Sequence, residues 1–380
     1  MPRFADPDGR VDIKSLSFDE LTADLVALGS QKFRALQVWK WLWQKKVRDF
    51  ADMTNVSKEW RAKLAEHFVI YELTPVGVLT SVDGTRKFLW HTREGQQIES
   101  VLIPEIVDPE EGGGRLTLCV STQVGCAMAC TFCLTGDLGL KRHLKPSEII
   151  NQPVQIARIL PEGERITNVV MMGMGEPLHN YDNLVAALRV YLDEHGLGLS
   201  HRRVTVSTVG LVPAMRKLTE ELPVNLAVSL NASTEEQRLK VMPITKKWSM
   251  AELLQTCRDL PVHHHKRITF EYVMMAGFND SIEDAARIVK LMRGIRSKVN
   301  LIPYNENPSR DIRRPGQEVA KAFQHHLVTR GVQCSIRATR GKDISAACGQ
   351  LGKADPSTVA IFGPAVLPNP ALADGALPVD

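Results

Sequence analysis

The sequence predicts an α/β fold: a partial (β/α)6 barrel preceded by a small helical domain and a β-meander. Three observations carry this expectation. From Arg115 onward, short apolar strands at Leu116–Ser121, Ile166–Met172, Arg203–Ser207, Val224–Leu230, Ile268–Val273 and Val299–Ile302 alternate with amphipathic stretches such as Glu283–Met292. About six such units imply a parallel sheet, for which a partial barrel is the natural closure. Between Val76 and Ile103 the apolar period is two, with turn signals at Asp83-Gly84 and Glu94-Gly95, as in a meander. Ahead of Val76 the apolar spacing is helical.

Taken in order, residues 1–72 form the helical domain, 73–110 the meander and a linker, 111–352 the barrel and 353–380 a Pro-rich tail without a fold of its own. Ser17-Phe-Asp-Glu20 reads as a helix start, and Phe33–Trp43 places apolar groups near i, i+3 and i+7. Its three tryptophans, with Arg34, Lys40, Lys45, Lys46 and Arg48, suit either a nucleic-acid face or an amphipathic helix with a solvated basic side. Pro104–Gly114 is an acidic, glycine-rich linker. In the barrel, Pro153 lies about two turns into the helix expected near Ser147, which predicts a kink or a late start.

Composition narrows the class. The chain of 380 residues opens on a polar, Pro/Gly-rich stretch, and no apolar run approaches the ~18 residues of a membrane span. The balance of 47 Lys+Arg against 43 Asp+Glu is mildly basic and permits an RNA partner. Seven cysteines spread over this length are not a disulfide framework. A reducing cytoplasm follows, with no membrane partner.

Cys126, Cys130 and Cys133 stand in a C-x3-C-x2-C loop directly after the first barrel strand. Active sites of such barrels lie at the C-terminal ends of the strands. Three thiolates fill three irons of a [4Fe–4S] cube and leave the fourth open, whereas structural zinc takes four protein ligands. The zinc alternative needs His143 as the fourth. Further strand ends carry small or polar groups: Gly175 and Glu176 after the second, Ser207 after the third, Ser229, Leu230 and Asn231 after the fourth, Asn305 after the sixth. Any one could be a turn, yet their recurrence suits a mouth that holds a zwitterion and a ribose.

These motifs together resemble the RlmN/Cfr family of RNA-methylating radical S-adenosylmethionine (SAM) enzymes, its RlmN branch in particular. The likeness rests on Cys119, the three-cysteine loop, Met172–Pro177, Arg202–Thr208, Asn300–Pro303 and Thr339–Gln350, and runs from residue 30 to about 352. It implies a radical SAM barrel with Cys126, Cys130 and Cys133 as ligands of one [4Fe–4S] cluster. It implies SAM contacts at Gly175, Glu176, Ser207, Ser229, Leu230, Asn231 and Asn305, although Asn231 stands where the family commonly has His. It also implies Cys348 as the methyl-carrying cysteine, Cys119 as the resolving cysteine and Glu99 as the base.

The implied reaction methylates C2 of an adenine in the peptidyl-transferase centre of 23S rRNA and of the adenine 3′ of the anticodon in tRNA. Adenine C2 has no lone pair with which to attack a sulfonium methyl, so a radical must add there. Cys348 would carry a methyl group from one SAM to a radical made from a second; Glu99 would take the C2 proton and Cys119 would release the base by forming a disulfide with Cys348. A flavodoxin- or ferredoxin-type reductant and a monomeric enzyme complete the picture. Two other readings stay open: a Cfr-like adenine-C8 methyltransferase, and a radical SAM enzyme acting on a non-RNA substrate. From residues alone, Glu99 reads as a solvent-facing strand carboxylate and Cys119 as an inert small hydrophobe. Cys257 and Cys334 read as packing residues, and His263-His264-His265 as a solvated loop. Candidate phosphate contacts are Arg202-Arg203, Lys246-Lys247 with Trp248, and Arg337 with Arg340 and Lys342, all on one rim.

Overall fold

A computed structural model describes residues 5–6, 8–105, 114–261, 266–307, 309–352 and 360–361. The tail beyond 361, most of the linker and the triple-histidine stretch lie outside the described residues. Among the described residues, the chain runs β1 (Val11–Asp12), α1 (Phe18–Ala27), α2 (Phe33–Trp43), α3 (Lys58–His67), β2 (Phe68–Val69), β3 (Thr74–Thr80), β4 (Arg86–His91) and β5 (Gln97–Pro104). It continues through β6 (Leu116–Cys119), β7 (Gln123–Gly125), α4 (Leu134–Asp137), β8 (Leu140–His143), α5 (Pro146–Ala157), β9 (Asn168–Met171), α6 (Tyr181–Leu192), β10 (Val204–Thr208) and α7 (Val212–Glu221). The rest is β11 (Asn225–Ser229), α8 (Glu235–Val241), α9 (Met250–Asp259), β12 (Ile268–Met274), α10 (Ile282–Leu291), β13 (Ser297–Pro303), α11 (Gln317–Val328), β14 (Cys334–Ile336) and β15 (Ala360–Ile361).

Eleven of the described strands form one sheet in the order β14-β13-β12-β11-β10-β9-β6-β5-β4-β3-β15. The strands from β6 to β14 pair in parallel, as the strand–helix alternation predicts. The meander joins them directly, because β5 pairs antiparallel with β6, setting Val101 opposite Cys119. Each of the six expected strands is present. A seventh parallel strand, β14, is three residues long and alternates half-buried and exposed positions, too little apolar patterning to stand out.

Helix α1 starts at Ser17 with a capping box to Glu20, the arrangement the Ser-x-x-Glu spacing encodes. In α2, Trp39 and Trp43 are buried, 2% and 0% exposed, and Trp39 donates to Asp193 at 2.7 Å. That helix therefore spends two of its tryptophans on packing, while Arg34 lies 4.5 Å over the Trp60 ring and Arg48 pairs with Glu72 at 3.5 Å. The N-terminal helices dock through Lys14, a fully buried lysine whose Nζ reaches Glu72 at 3.0 Å and Asn151 at 2.8 Å. A buried ammonium holds its charge only with such partners. Helix α5 begins at Pro146 and runs through Pro153, so there is no late start. Pro153 has no N–H for the carbonyl of Ile149; the Tyr191 hydroxyl of α6 supplies that hydrogen bond at 2.9 Å.

Candidate active site

A cavity of about 970 Å³, counted to its open mouth, lies at the C-terminal ends of the parallel strands. Its wall includes Cys126, Cys130 and Cys133, Gly175 and Glu176, Ser207, Ser229, Asn231, Asn305 and Cys348. Ten of the thirteen site residues expected from sequence thus face one space, although they come from six separate stretches of chain. Leu230, Cys119 and Glu99 do not line it.

The cysteine loop is closed at its neck by the β7–β8 hairpin, where Cys126 N–H donates to Gly139 O at 3.0 Å. A Cβ at Gly125, which sits at φ +76, would stand 1.8 Å from that same oxygen. Only glycine fits. Burial pushes the Cys126 thiol up to about 12. Burial also raises Cys130, and the neighbouring charges of Cys133, Cys126 and Glu176 add to the effect. Burial raises all three thiols, so a strongly positive group is needed to turn them into thiolates together. Among the described residues no three Cys, His, Asp or Glu converge as on a single metal ion; a cube takes each thiolate on a separate iron. The His143 ring hydrogen-bonds Gln123 at 3.0 Å and packs edge-on against His179. The donor set fits an iron–sulfur cluster better than zinc.

Glu176 is 2% exposed, and burial lifts its carboxyl to about 7 against the N–H groups of Val209 and Leu178, which it accepts at 2.9 and 3.1 Å. Asn231 is buried at φ +56, a region where Asn and His are both enriched; its Oδ1 accepts from Val273 N–H at 2.8 Å and fixes the end of β12. Leu230 sends its side chain into the core and its N–H to Glu271 O.

Asn305 donates to Cys348 O at 3.1 Å and accepts from Thr339 at 3.0 Å, so one amide steadies the segment that carries Cys348. Cys119 ends β6 just behind the cavity. Burial pushes its thiol up to about 12, and the nearby Cys348 adds to the rise. Arg337 lines the same wall, and its positive charge is favoured first by Cys348 and also by Glu271 and Cys119. Glu99 is fully buried, not solvent-facing. Its Oε1 accepts from Gly352 N–H at 3.2 Å, Lys87 approaches Oε2 at 3.8 Å, and burial raises its carboxyl.

Known proteins carry the same pattern. Residues 11–70 match the ribosomal RNA large subunit methyltransferase N-terminal domain, and residues 120–289 match the radical SAM superfamily. The dual-specificity RNA methyltransferase RlmN of Pelobacter propionicus is 49% identical over 348 residues, 91% of this chain and 97% of that protein. Its namesake from Anaeromyxobacter sp. is 49% identical over 360 residues, 92% and 94% of the two chains. The chain belongs to the RlmN family. A radical SAM methyltransferase from Sphaerobacter thermophilus, 41% identical, superposes with a TM-score of 0.82 over 89% of this chain and 98% of that one.

As an RlmN-family protein the chain is a radical SAM RNA methyltransferase, with SAM, an iron–sulfur cluster and an RNA substrate. No helix among the described residues is long and apolar enough to cross a membrane. The basic residues expected on one rim are divided. Arg202 and Arg203 precede β10, at the strand end away from the cavity, and Arg337 turns into the cavity wall. The charged wall residue that the sequence motifs do not mark is Glu271. A carboxyl inside the mostly apolar strand Ile268–Met274 is the signal that marks Glu271, since such a group in a barrel strand needs polar partners to face.

Proposed function

We propose that this RlmN-family enzyme methylates C2 of adenine in 23S rRNA and in tRNA through a methyl-cysteine on Cys348. Cys126, Cys130 and Cys133 would hold a [4Fe–4S] cluster, which together with SAM would supply the radical chemistry that activates a methyl group. Gly175, Glu176, Ser207, Ser229, Leu230, Asn231 and Asn305 bind that SAM, and Glu176 takes its ammonium group as the carboxylate. Cys348 accepts the methyl group of a separate SAM by displacement at sulfur, with Arg337 on the same wall of the cavity. Two SAM molecules are used per turnover.

The observation that carries the reading is a second thiol beside the cluster loop: Cys348 lines the same cavity as Cys126, Cys130 and Cys133, and Cys119 ends strand β6. A radical enzyme with no protein-bound intermediate has no use for a second thiol there. Cys119 attacks the Cys348 sulfur as a thiolate and the C–S bond breaks, its electron pair passing to the former methylene carbon, which takes a proton to become the methyl group. The odd electron of the adduct would return to the iron–sulfur cluster, and an external thiol must reduce the resulting disulfide before the next cycle. Glu99 receives the C2 proton; a carboxyl raised by burial is a stronger base than one in water. Reaching Glu99 requires the 348–352 segment, which lies over it, to give way. The enzyme works as a cytoplasmic monomer fed by a flavodoxin- or ferredoxin-type reductant.

The test is mass spectrometry of nucleosides from unmodified 23S rRNA and tRNA treated with reconstituted enzyme, SAM and reductant. Appearance of 2-methyladenosine in both supports the proposal. Appearance of 8-methyladenosine alone assigns the Cfr-like reaction instead.

A further inference from the structure

Two motifs meet at Gln123. This residue lies on β7, three positions before Cys126, and is fully buried. Its Oε1 accepts from the Glu176 backbone N–H at 2.8 Å, while the N–H groups of Thr122 and Gln123 converge on Met174 O at 2.9 and 3.2 Å. A Cβ on Gly175 would stand 2.5 Å from Gln123 Cβ, so the segments approach as closely as glycine permits. Chemistry fixes the way the amide faces: a backbone N–H needs an acceptor, so Oε1 points to Glu176. Nε2 then reaches Nδ1 of His143 at 3.0 Å and of His179 at 3.3 Å, with both rings accepting.

We infer that Gln123 is a positioning residue for SAM, which fixes the Gly175–Glu176 peptide so that the Gly175 carbonyl faces the cavity. This rests on the SAM site proposed at Gly175 and Glu176. In a planar trans peptide the C=O and N–H point in opposite directions. Anchoring the N–H on Gln123 therefore aims the carbonyl away from β7, toward the cavity that Gly175 lines. An ammonium group has donors and no acceptor, so it is held by a carbonyl and repelled by an N–H. Gly175 sits at φ +103, where glycine moves readily between conformations, and the turn by itself does not choose. Gln123 makes that choice, and because the same strand leads into Cys126 it also ties the amino end of SAM to the cluster loop.

The experiment is calorimetric titration of SAM into anaerobically reconstituted protein, with iron content and melting temperature measured alongside. Gln123→Met keeps the side-chain length and loses the acceptor. It is expected to hold full iron and melt within a few degrees of the parent, while SAM affinity falls about tenfold, the scale of one lost hydrogen bond, and KM for SAM rises by more than kcat falls. Gln123→Glu keeps an acceptor oxygen and is expected to recover affinity to within about threefold of the parent. Should Gln123→Met lose iron, Gln123→Asn, whose amide stops one carbon short of Glu176, is judged by the same criteria. Glu176→Ala is the reference. If it weakens SAM and the Gln123 variants do not, the positioning role is overturned; if Glu176→Ala also binds SAM unchanged, the SAM site itself is wrongly placed.

Discussion

The loop that carries Cys126, Cys130 and Cys133 and the segment that carries Cys348 face each other across one cavity, yet they are held by opposite means. The loop is local: its neck is a hairpin between Gln123–Gly125 and Leu140–His143, closed where Gly125 admits no side chain. The segment from Arg337 to Gly352 forms no helix or strand and is pinned by distant groups. Asp83 accepts from Gly341 N–H at 3.0 Å, Lys87 donates to Ser345 O at 3.2 Å, and Thr135 donates to Leu351 O at 2.7 Å. A cluster loop must keep three sulfurs in place before metal arrives. A segment that delivers a methyl group and then pairs with Cys119 must be placed accurately and still yield, and many separate hydrogen bonds allow that.

Breaking the rigid side has the largest expected effect. Cys126→Ala, Cys130→Ala or Cys133→Ala should each bring iron content and SAM cleavage to background, because two thiolates underligate the cube; a single variant with full iron would refute the cluster assignment. The yielding side should fail later in the reaction. Cys348→Ala should keep its iron and acquire no protein-bound methyl group, whereas Cys119→Ala should be methylated and then stall as a covalent protein–RNA adduct, visible as a nuclease-sensitive gel shift. Normal turnover by Cys119→Ala without an adduct would remove the methyl-cysteine route.

A smaller effect is expected at the junction of the two. Glu176→Ala should weaken SAM binding about 10- to 100-fold, the range of a charge-assisted hydrogen bond, with iron unchanged; calorimetry decides. Smallest is Asp83→Ala, which should speed amide exchange in residues 341–346 by about two- to fivefold and leave 123–143 unaffected. Burial pushes the Asp83 carboxyl up from its usual 3.8, but donors from Thr85 and Gly341 outweigh it and hold it at about 2. A depressed carboxyl stabilises above its ordinary value and loses that contribution as pH falls through about 2. The difference between parent and variant should therefore stay constant from pH 5 to 9, and a difference that grew with pH would point to another anchor.

The same contrast explains what could be read from the residues beforehand. The barrel strands were legible because each is a short apolar run followed by a helix, and the cluster loop because its ligands are adjacent in sequence. Glu99 was misread as solvent-facing because β5 looks like an ordinary meander strand. Its Oε1 accepts from the N–H of Gly352, more than 250 residues away, a partner that no local pattern announces. The tryptophans of α2 were ambiguous for a related reason: whether a Trp-rich face is wet or dry depends on what docks there, and Asp193 of the barrel half does. Gln123 escaped notice because an amide in a three-residue strand carries no motif; its meaning lies in the Glu176 N–H it meets.

One feature of the sheet reaches beyond the active site. A partial barrel of parallel strands leaves unpaired backbone at both ends, and one end here would be β6, beside Cys119. The pairing of β5 with β6 fills that row of donors and acceptors and carries the open edge outward to β3, where β15 pairs with it. A shortened protein beginning near residue 114 would retain every cluster ligand and every proposed SAM contact, yet bare a strand edge next to a thiol. Such an edge recruits other chains. The meander thus covers a sheet edge as well as bearing Glu99, and a radical SAM half cut free of it is expected to aggregate.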